Sequence, residues 1–284
     1  MIPIFRPAIC GLLLGLACIT GLAHTAQAAE AALQDGKTAL FPRASSQGSL
    51  RVAVIHVTPP AAPGAKIRTE DRLDAPVIKA LAQSLQLKAQ PVQMTLDQAQ
   101  TALAEGAIDL ALYSLPEDAR VGAGVTRVPT SYQTYPKAVI RSDTQLRSPD
   151  DLRGRSVCIA DTARHAAQEA SRAGATLLSF PVPSDALVAV REGKCDLGLI
   201  DQTVWQDLQR FPEWKKFSAT IELPDHPRTL SWLLPAGNGA QAEWLRAQMR
   251  QWDATDQWAV FRKKWATDVA FDVYLDQEVP DCHS

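Results

Sequence analysis

The stretch Ala102–Ser114, "ALAEGAIDLALYS", is written again as Ala189–Asp201, "AVREGKCDLGLID". In both, an apolar helical stretch runs into Glu-Gly, two further residues, then Asp-Leu, a small residue and Leu. Glu105, Gly106 and Asp109 correspond to Glu192, Gly193 and Asp196 at equal spacing. A glycine that closes a helix and leads at once into a buried strand marks the return half of a βαβ unit. Two copies of that junction in one chain imply two copies of one α/β layout.

The flanking patterns extend each copy. In the first, "LRVAVIHV" (Leu50 to Val57) reads as a strand and "LDAPVIKALAQSLQL" as a helix, with Asp74 as N-cap and Pro76 in its first turn. "KAQPVQM" is a short strand, "TLDQAQTALAEG" a helix and "AIDLALYS" a buried strand. In the second, "RSVCIAD", "ARHAAQEASRAG", "TLLSFPV", "SDALVAVREG" and "KCDLGLID" repeat the order, with Ser184 as a helix cap. Each unit is βαβαβ, which implies a parallel sheet covered by helices on both faces. The expected fold class is α/β, with two doubly wound βαβαβ lobes. "TYPKAVIR" and "RTLSWLLPAG" read as two crossover strands joining the lobes, and two amphipathic helices follow. The expected boundaries are residues 50–137 plus 235–284 for lobe 1 and 138–234 for lobe 2. Two lobes on two strands form a hinged clamshell. A chain of 284 residues, 46% hydrophobic and 21% charged, can fill both cores. A formal net charge of −2 provides no basic footprint, so no nucleic-acid partner is expected. A monomer is expected.

The N-terminus reads as a secretory signal peptide over residues 1–28: Arg6, the apolar run "AICGLLLGLACITGLA", then "AQA" at Ala26–Ala28. The run is too short for a membrane span. A lipoprotein anchored at Cys18 is the alternative. Residues 29–49 read as a loose leader, and the localisation that follows is periplasmic.

"LRVAV" with its proline turn, "ALAEGAIDLAL", "AVREGKCDLGLID", "SPDDLRGRSVCIAD" and "FRKKW" stand in an order that resembles the extracellular solute-binding proteins of polar amino acid ABC transporters. Those proteins have the type II periplasmic binding fold, and the resemblance covers about Leu50 to Trp265. It implies a small zwitterionic or anionic, amino-acid-like solute, an inner-membrane ABC permease as partner, and no cofactor. The family's carboxylate-binding arginine ends a loop after the third strand of lobe 1, and Arg120 resembles it. A shifted alignment of "PEDA" puts Asp118 in that place, and Arg127 is a rival cation. The family's amine-binding aspartate ends the third strand of lobe 2, and Asp201 resembles it.

Physical reasoning reaches the same region. Ligands of open α/β sheets bind beyond the carboxyl ends of the strands. The loops at those ends are Thr58 to Pro60, Ser114 to Arg120, Ala160 to Ala163, and Asp201 to Gln202. An arginine fork suits a carboxylate and an aspartate suits an ammonium. The expected ligand-binding residues are Arg120, Asp201, Ser114, Tyr113, Asp161 and Thr162. Asp161 and Asp201 also suit helix caps, while Asp109 and Asp196 lie at the far strand ends and read as structural.

All seven tryptophans lie after residue 200. Trp244, Trp252, Trp258 and Trp265 are spaced for core packing, and Trp205 and Trp232 are the better cleft candidates. No G-x-S-x-G, H-E-x-x-H or P-loop is present, and the histidines lack ligand spacing. No catalytic and no metal site is therefore assigned. The alternatives are an exported dehydratase of the prephenate or arogenate type on the same fold, or an orphan sensor module. Of the cysteines beyond the signal, Cys158 is expected level with Gly198 or Leu199 on the neighbouring strand. An extended Cys195 would then lie about 10–13 Å away along the strand, beyond disulfide reach. The expectation is a free Cys158 and, where a bridge forms, a Cys195–Cys282 pair.

Overall fold

The computed structural model describes residues 39–58, 72–160, 167–217, 219–222 and 227–275. Two five-stranded sheets carry the molecule. In the first lobe, helix α1 (Pro42–Gln47) precedes β1 (Ser49–Val54), α2 (Asp74–Ser84), β2 (Lys88–Gln93), α3 (Leu96–Ala104), β3 (Leu110–Pro116) and β4 (Val125–Thr134). The second lobe contains β5 (Pro136–Ile140), β6 (Ser156–Ala160), α4 (Ala167–Arg172), β7 (Thr176–Phe180), α5 (Pro183–Arg191), β8 (Leu197–Asp201), α6 (Gln202–Leu208) and β9 (Ala219–Glu222). Strand β10 (Arg228–Pro235) and helices α7 (Gly239–Ala254) and α8 (Gln257–Leu275) follow. The strand orders are β2-β1-β3-β10-β4 and β7-β6-β8-β5-β9. In each sheet the first three strands are parallel and the next is antiparallel to them. The two-lobed α/β fold is the one the repeated junction implies.

The repeat has a physical use. Gly106 and Gly193 take φ of +68° and +77°, which turns each helix sharply into its strand. Asp109 then accepts the backbone N–H of Arg51 at 2.8 Å, and Asp196 that of Ser156 at 2.8 Å. Each aspartate's own N–H returns a bond, to Arg51 O and Ser156 O at 3.0 Å. One carboxylate thus ties the third strand of each lobe to the start of its first. Burial pushes the Asp109 carboxyl up to about 6, with Arg43 working against it. Burial acts on Asp196 in the same direction, but the Ser156 amide, the Ser156 hydroxyl and Arg155 together hold it below its ordinary value. Asp196→Ala leaves the Ser156 N–H without its acceptor. The expected loss is about 1–3 kcal/mol in a urea titration, and an unchanged midpoint would remove this role.

Several expectations differ from the structure. β10 pairs with β3 and β4, so Arg228–Leu234 belongs to the first sheet, and all of β5 belongs to the second. Tertiary pairing across the hinge sets those limits, and hydrophobic pattern alone does not carry it. Strand β4 was not expected. It alternates buried and exposed residues from Val128 onward, and its Pro129 is tolerated because β4 is an edge strand. Helix α8 packs on α5 and α6 of the second lobe as well as on α2 and α7. Part of the expected loose leader is ordered: Phe41 and Ala44 are buried, and Phe41 stacks edge-on against Trp244 at 5.8 Å. Leu73, not Asp74, is the N-cap of α2, and Val182, not Ser184, that of α5. The segment expected to be a signal peptide, including Cys18, lies outside the described residues. Among the described residues no helix is long and apolar enough to cross a membrane.

The cysteines give the main correction. Cys158 and Cys195 form a disulfide, with Cα atoms 5.7 Å apart. The expected strand register is nevertheless present, with Cys158 opposite Gly198. β8 does not extend back to Cys195. The strand begins at Leu197, and Cys195 belongs to the turn that descends from α5 after Gly193. Cys158 faces that side of the sheet: it clusters with Leu187, Val190 and Cys195, while Val157 and Ile159 join the opposite cluster. The turn therefore brings Cys195 over Cys158. Gly198 permits the close approach, since a Cβ there would meet Val190 Cγ2 at 3.2 Å. Cys195 is consequently unavailable to Cys282, which lies outside the described residues.

Candidate functional site

A cavity of about 230 Å³ lies between the lobes. Ile55 follows β1, Ser114 is in β3, Ala160 ends β6 and Asp201 ends β8, and all four line it. The cavity thus occupies the carboxyl ends of the parallel strands of both sheets, where α/β folds place ligands. The hinge residues Thr134, Tyr135 and Pro136 line it as well.

The structure brings some of the expected residues together and sets others apart. Tyr113, Ser114 and Asp201 line the cavity. Tyr113 is buried, and its hydroxyl donates to Met94 O at 2.7 Å. Burial and then the charge of Asp74 push its phenol well up, so it presents a ring and not an ionisable group. Arg120 is exposed and is not among the residues lining the cavity. Glu117 and Asp118 are also exposed. Arg127 is engaged elsewhere: it donates to Pro116 O at 2.9 Å, Glu117 O at 3.2 Å and Ser231 Oγ at 3.0 Å, and so holds the turn after β3. Asp161 and Thr162 lie outside the described residues. Thr58 lines a separate groove beside α2. Trp205 and Trp232 are buried in the core, whereas Trp265 lines the cavity.

Among the described residues the cations that line the cavity are Arg72 and Arg228, neither of which the sequence reading includes. Arg72 precedes α2 and is 4% exposed. Its Nη2 pairs with Asp74 Oδ1 at 2.8 Å. Its Nη1 is buried, with no hydrogen-bond partner among the described residues. A buried guanidinium nitrogen without an acceptor is costly, and a ligand oxygen would relieve it. Arg228 opens β10 and donates from Nη1 to Ser114 O at 3.3 Å. The only sequence signal for Arg72 was its place just before a helix at the mouth of β1. Arg228 had none beyond its position at the head of a crossover strand.

Asp201 joins the same lining from the second lobe. Its Oδ1 accepts from Thr203 N at 2.8 Å and Thr203 Oγ1 at 2.7 Å, capping α6, and Tyr132 Oη donates to Oδ2 at 3.5 Å. Tyr132 also hydrogen-bonds Thr203, so β4 of the first lobe touches the start of α6 in the second. Burial pushes the Asp201 carboxyl up to about 6, although Thr203, Tyr132 and Arg262 hold it down.

That shift has a sign that can be checked. Unfolded aspartate ionises near 4, so between about pH 4 and pH 6 the folded chain holds a proton that the unfolded chain has lost. The stability it contributes is therefore present at low pH and lost as pH rises through about 6. Asn keeps the cap but carries no charge. Asp201→Asn is expected to stabilise the fold on the order of 3 kcal/mol above pH 6, with the gain shrinking toward pH 4. Calorimetric scans of both proteins across that range test this, and a pH-independent difference would refute it.

No family model and no curated protein matches the sequence. Solved structures share the fold. A mutant of ArgBP from T. maritima is 16% identical, with 80% of this chain and 99% of that chain covered at a TM-score of 0.59. AbpA from Streptococcus pneumoniae, an amino acid ABC transporter substrate-binding protein bound to L-arginine, is 14% identical, with 80% and 98% covered at 0.58. The ancestral amino-acid-binding protein AncCDT-1, a precursor of cyclohexadienyl dehydratase, is 17% identical, with 79% and 98% covered at 0.55. The chain has the two-lobed type II periplasmic binding fold.

Proposed function

We propose that this chain is a periplasmic solute-binding protein. It captures a small zwitterionic or anionic, amino-acid-like solute between its lobes and presents it to an inner-membrane ABC permease. The observation that carries this reading is the buried Arg72, one of whose nitrogens has no partner among the described residues, in the lining of a cavity to which the other lobe contributes Asp201. A carboxylate satisfies the first group and an ammonium the second. The fold neighbours support it, because those compared above include an amino acid ABC transporter substrate-binding protein and an amino-acid-binding protein. A ligand that binds only the folded state raises its melting temperature by mass action. A thermal-shift screen of amino acids and organic acids should give a dose-dependent rise with at least one α-amino acid. A flat response across the panel would sink the reading.

One observation favours a second reading. A cleft carboxyl poised at about 6 suits a general acid for departure of a hydroxyl group. An exported dehydratase of the prephenate or arogenate type would use it so. Product formation on incubation with either substrate distinguishes the dehydratase from the binder, which returns its ligand unchanged.

A further inference from the structure

Resting on the binding role proposed above, we infer that the preferred ligand is a net-neutral α-amino acid with an apolar side chain of the leucine or phenylalanine class.

The charged side chains among the described lining residues are Arg72, Asp74, Asp201 and Arg228. Two cations are matched by two anions, so the described lining residues sum to zero charge. A zwitterion with an uncharged side chain leaves that balance intact. A lysine- or arginine-like side chain, or a glutamate-like one, adds a charge to a desolvated space with no described counter-charge in excess.

The two walls differ in chemistry. The first lobe supplies the polar and charged Arg72, Asp74, Ser114, Thr134 and Arg228 beside Ile55, Leu73, Leu112, Tyr113 and Leu230. The second supplies Pro136, Ala160, Pro183, Leu187, Leu199 and Ile200, with Asp201 as its only described polar lining residue. Trp265 of α8 adds an aromatic surface. A ligand whose carboxylate meets Arg72 and whose ammonium meets Asp201 has an apolar wall left for its side chain. Apolar surface removed from water there is favourable, and an ionised group placed against it is penalised. A cavity of about 230 Å³ lies below the usual range for drug-sized ligands and suits a compact molecule.

Isothermal titration of the full mature chain with L-leucine, L-isoleucine, L-phenylalanine, L-arginine and L-glutamate tests this. The expected result is that at least one of the three apolar amino acids binds at least tenfold more tightly than either charged one. Analogues lacking one charge, 4-methylpentanoate and isopentylamine, should each bind at least tenfold more weakly than L-leucine. Equal or tighter binding of L-arginine or L-glutamate overturns the apolar preference and leaves the binding role standing. Binding of 4-methylpentanoate as tight as L-leucine overturns the zwitterion. Absence of binding by every compound overturns the binding role and this inference together.

Discussion

Removing the Cys158–Cys195 bridge is expected to lower stability by about 4 kcal/mol, from the loop-closure entropy that a closed loop of this length withholds from the unfolded chain. The bridged residues are 37 apart in sequence. Both are buried, and they join the turn after α5 to the middle of β6 inside the second lobe. In a chain of this size that loss corresponds to a fall of about 10 °C in melting temperature. The Cys158→Ala/Cys195→Ala double variant and the reduced wild-type chain should show falls of similar size in calorimetry. Non-reducing peptide mapping should find the two cysteines in one linked fragment. A double variant that melts with the oxidised wild type would mean that the bridge adds nothing to the fold.

The second large effect is on binding. Arg72→Met keeps much of the side-chain volume and removes the guanidinium. Truncating one partner of a buried, hydrogen-bonded charge pair costs about 2–5 kcal/mol, so affinity should fall by roughly 30-fold or more. Arg72 also pairs with Asp74, and loss of that bond must be separated from loss of the ligand contact. Titration of the folded variant, checked by circular dichroism, does this. Arg120→Ala is the companion measurement: Arg120 is exposed outside the cavity lining, and its replacement should leave affinity within about twofold. A large loss at Arg120 with none at Arg72 would return the anchor to the loop after β3.

The fold was legible because its punctuation is local. Gly106 and Gly193 end helices through a positive φ that other residues rarely adopt, and Asp109 and Asp196 follow at the spacing that lets each reach the neighbouring strand. Strand β4 is hidden because Pro129 cannot donate to a ladder and reads as a strand breaker, and only its edge position makes that harmless. The disulfide was misread for a geometric reason. The spacing of Cys195 from the Gly198–Leu199 level of Cys158 converts to a long distance only for an extended chain, whereas the turn after Gly193 moves out of the sheet toward α5. In the cleft, Ser114, Tyr113 and Asp201 could be found because strand ends are readable. Arg72 and Arg228 could not. The first is separated from β1 by a long connection, and the second reaches the cleft only because β10 inserts beside β3.

That insertion also sets the order in which the molecule can be completed as it is synthesised. The five strands of the second sheet form one uninterrupted stretch from Pro136 to Glu222. The first sheet is split, since β10 lies between β3 and β4 and is the one strand that holds β4 to the rest. Until residues 228–235 have emerged, β4 has no place in its sheet and β3 presents a bare edge. An open strand edge is a template for pairing with another chain. A nascent chain stopped short of β10 therefore carries a complete second sheet and an adhesive first one, so the sheet that is begun first is closed last.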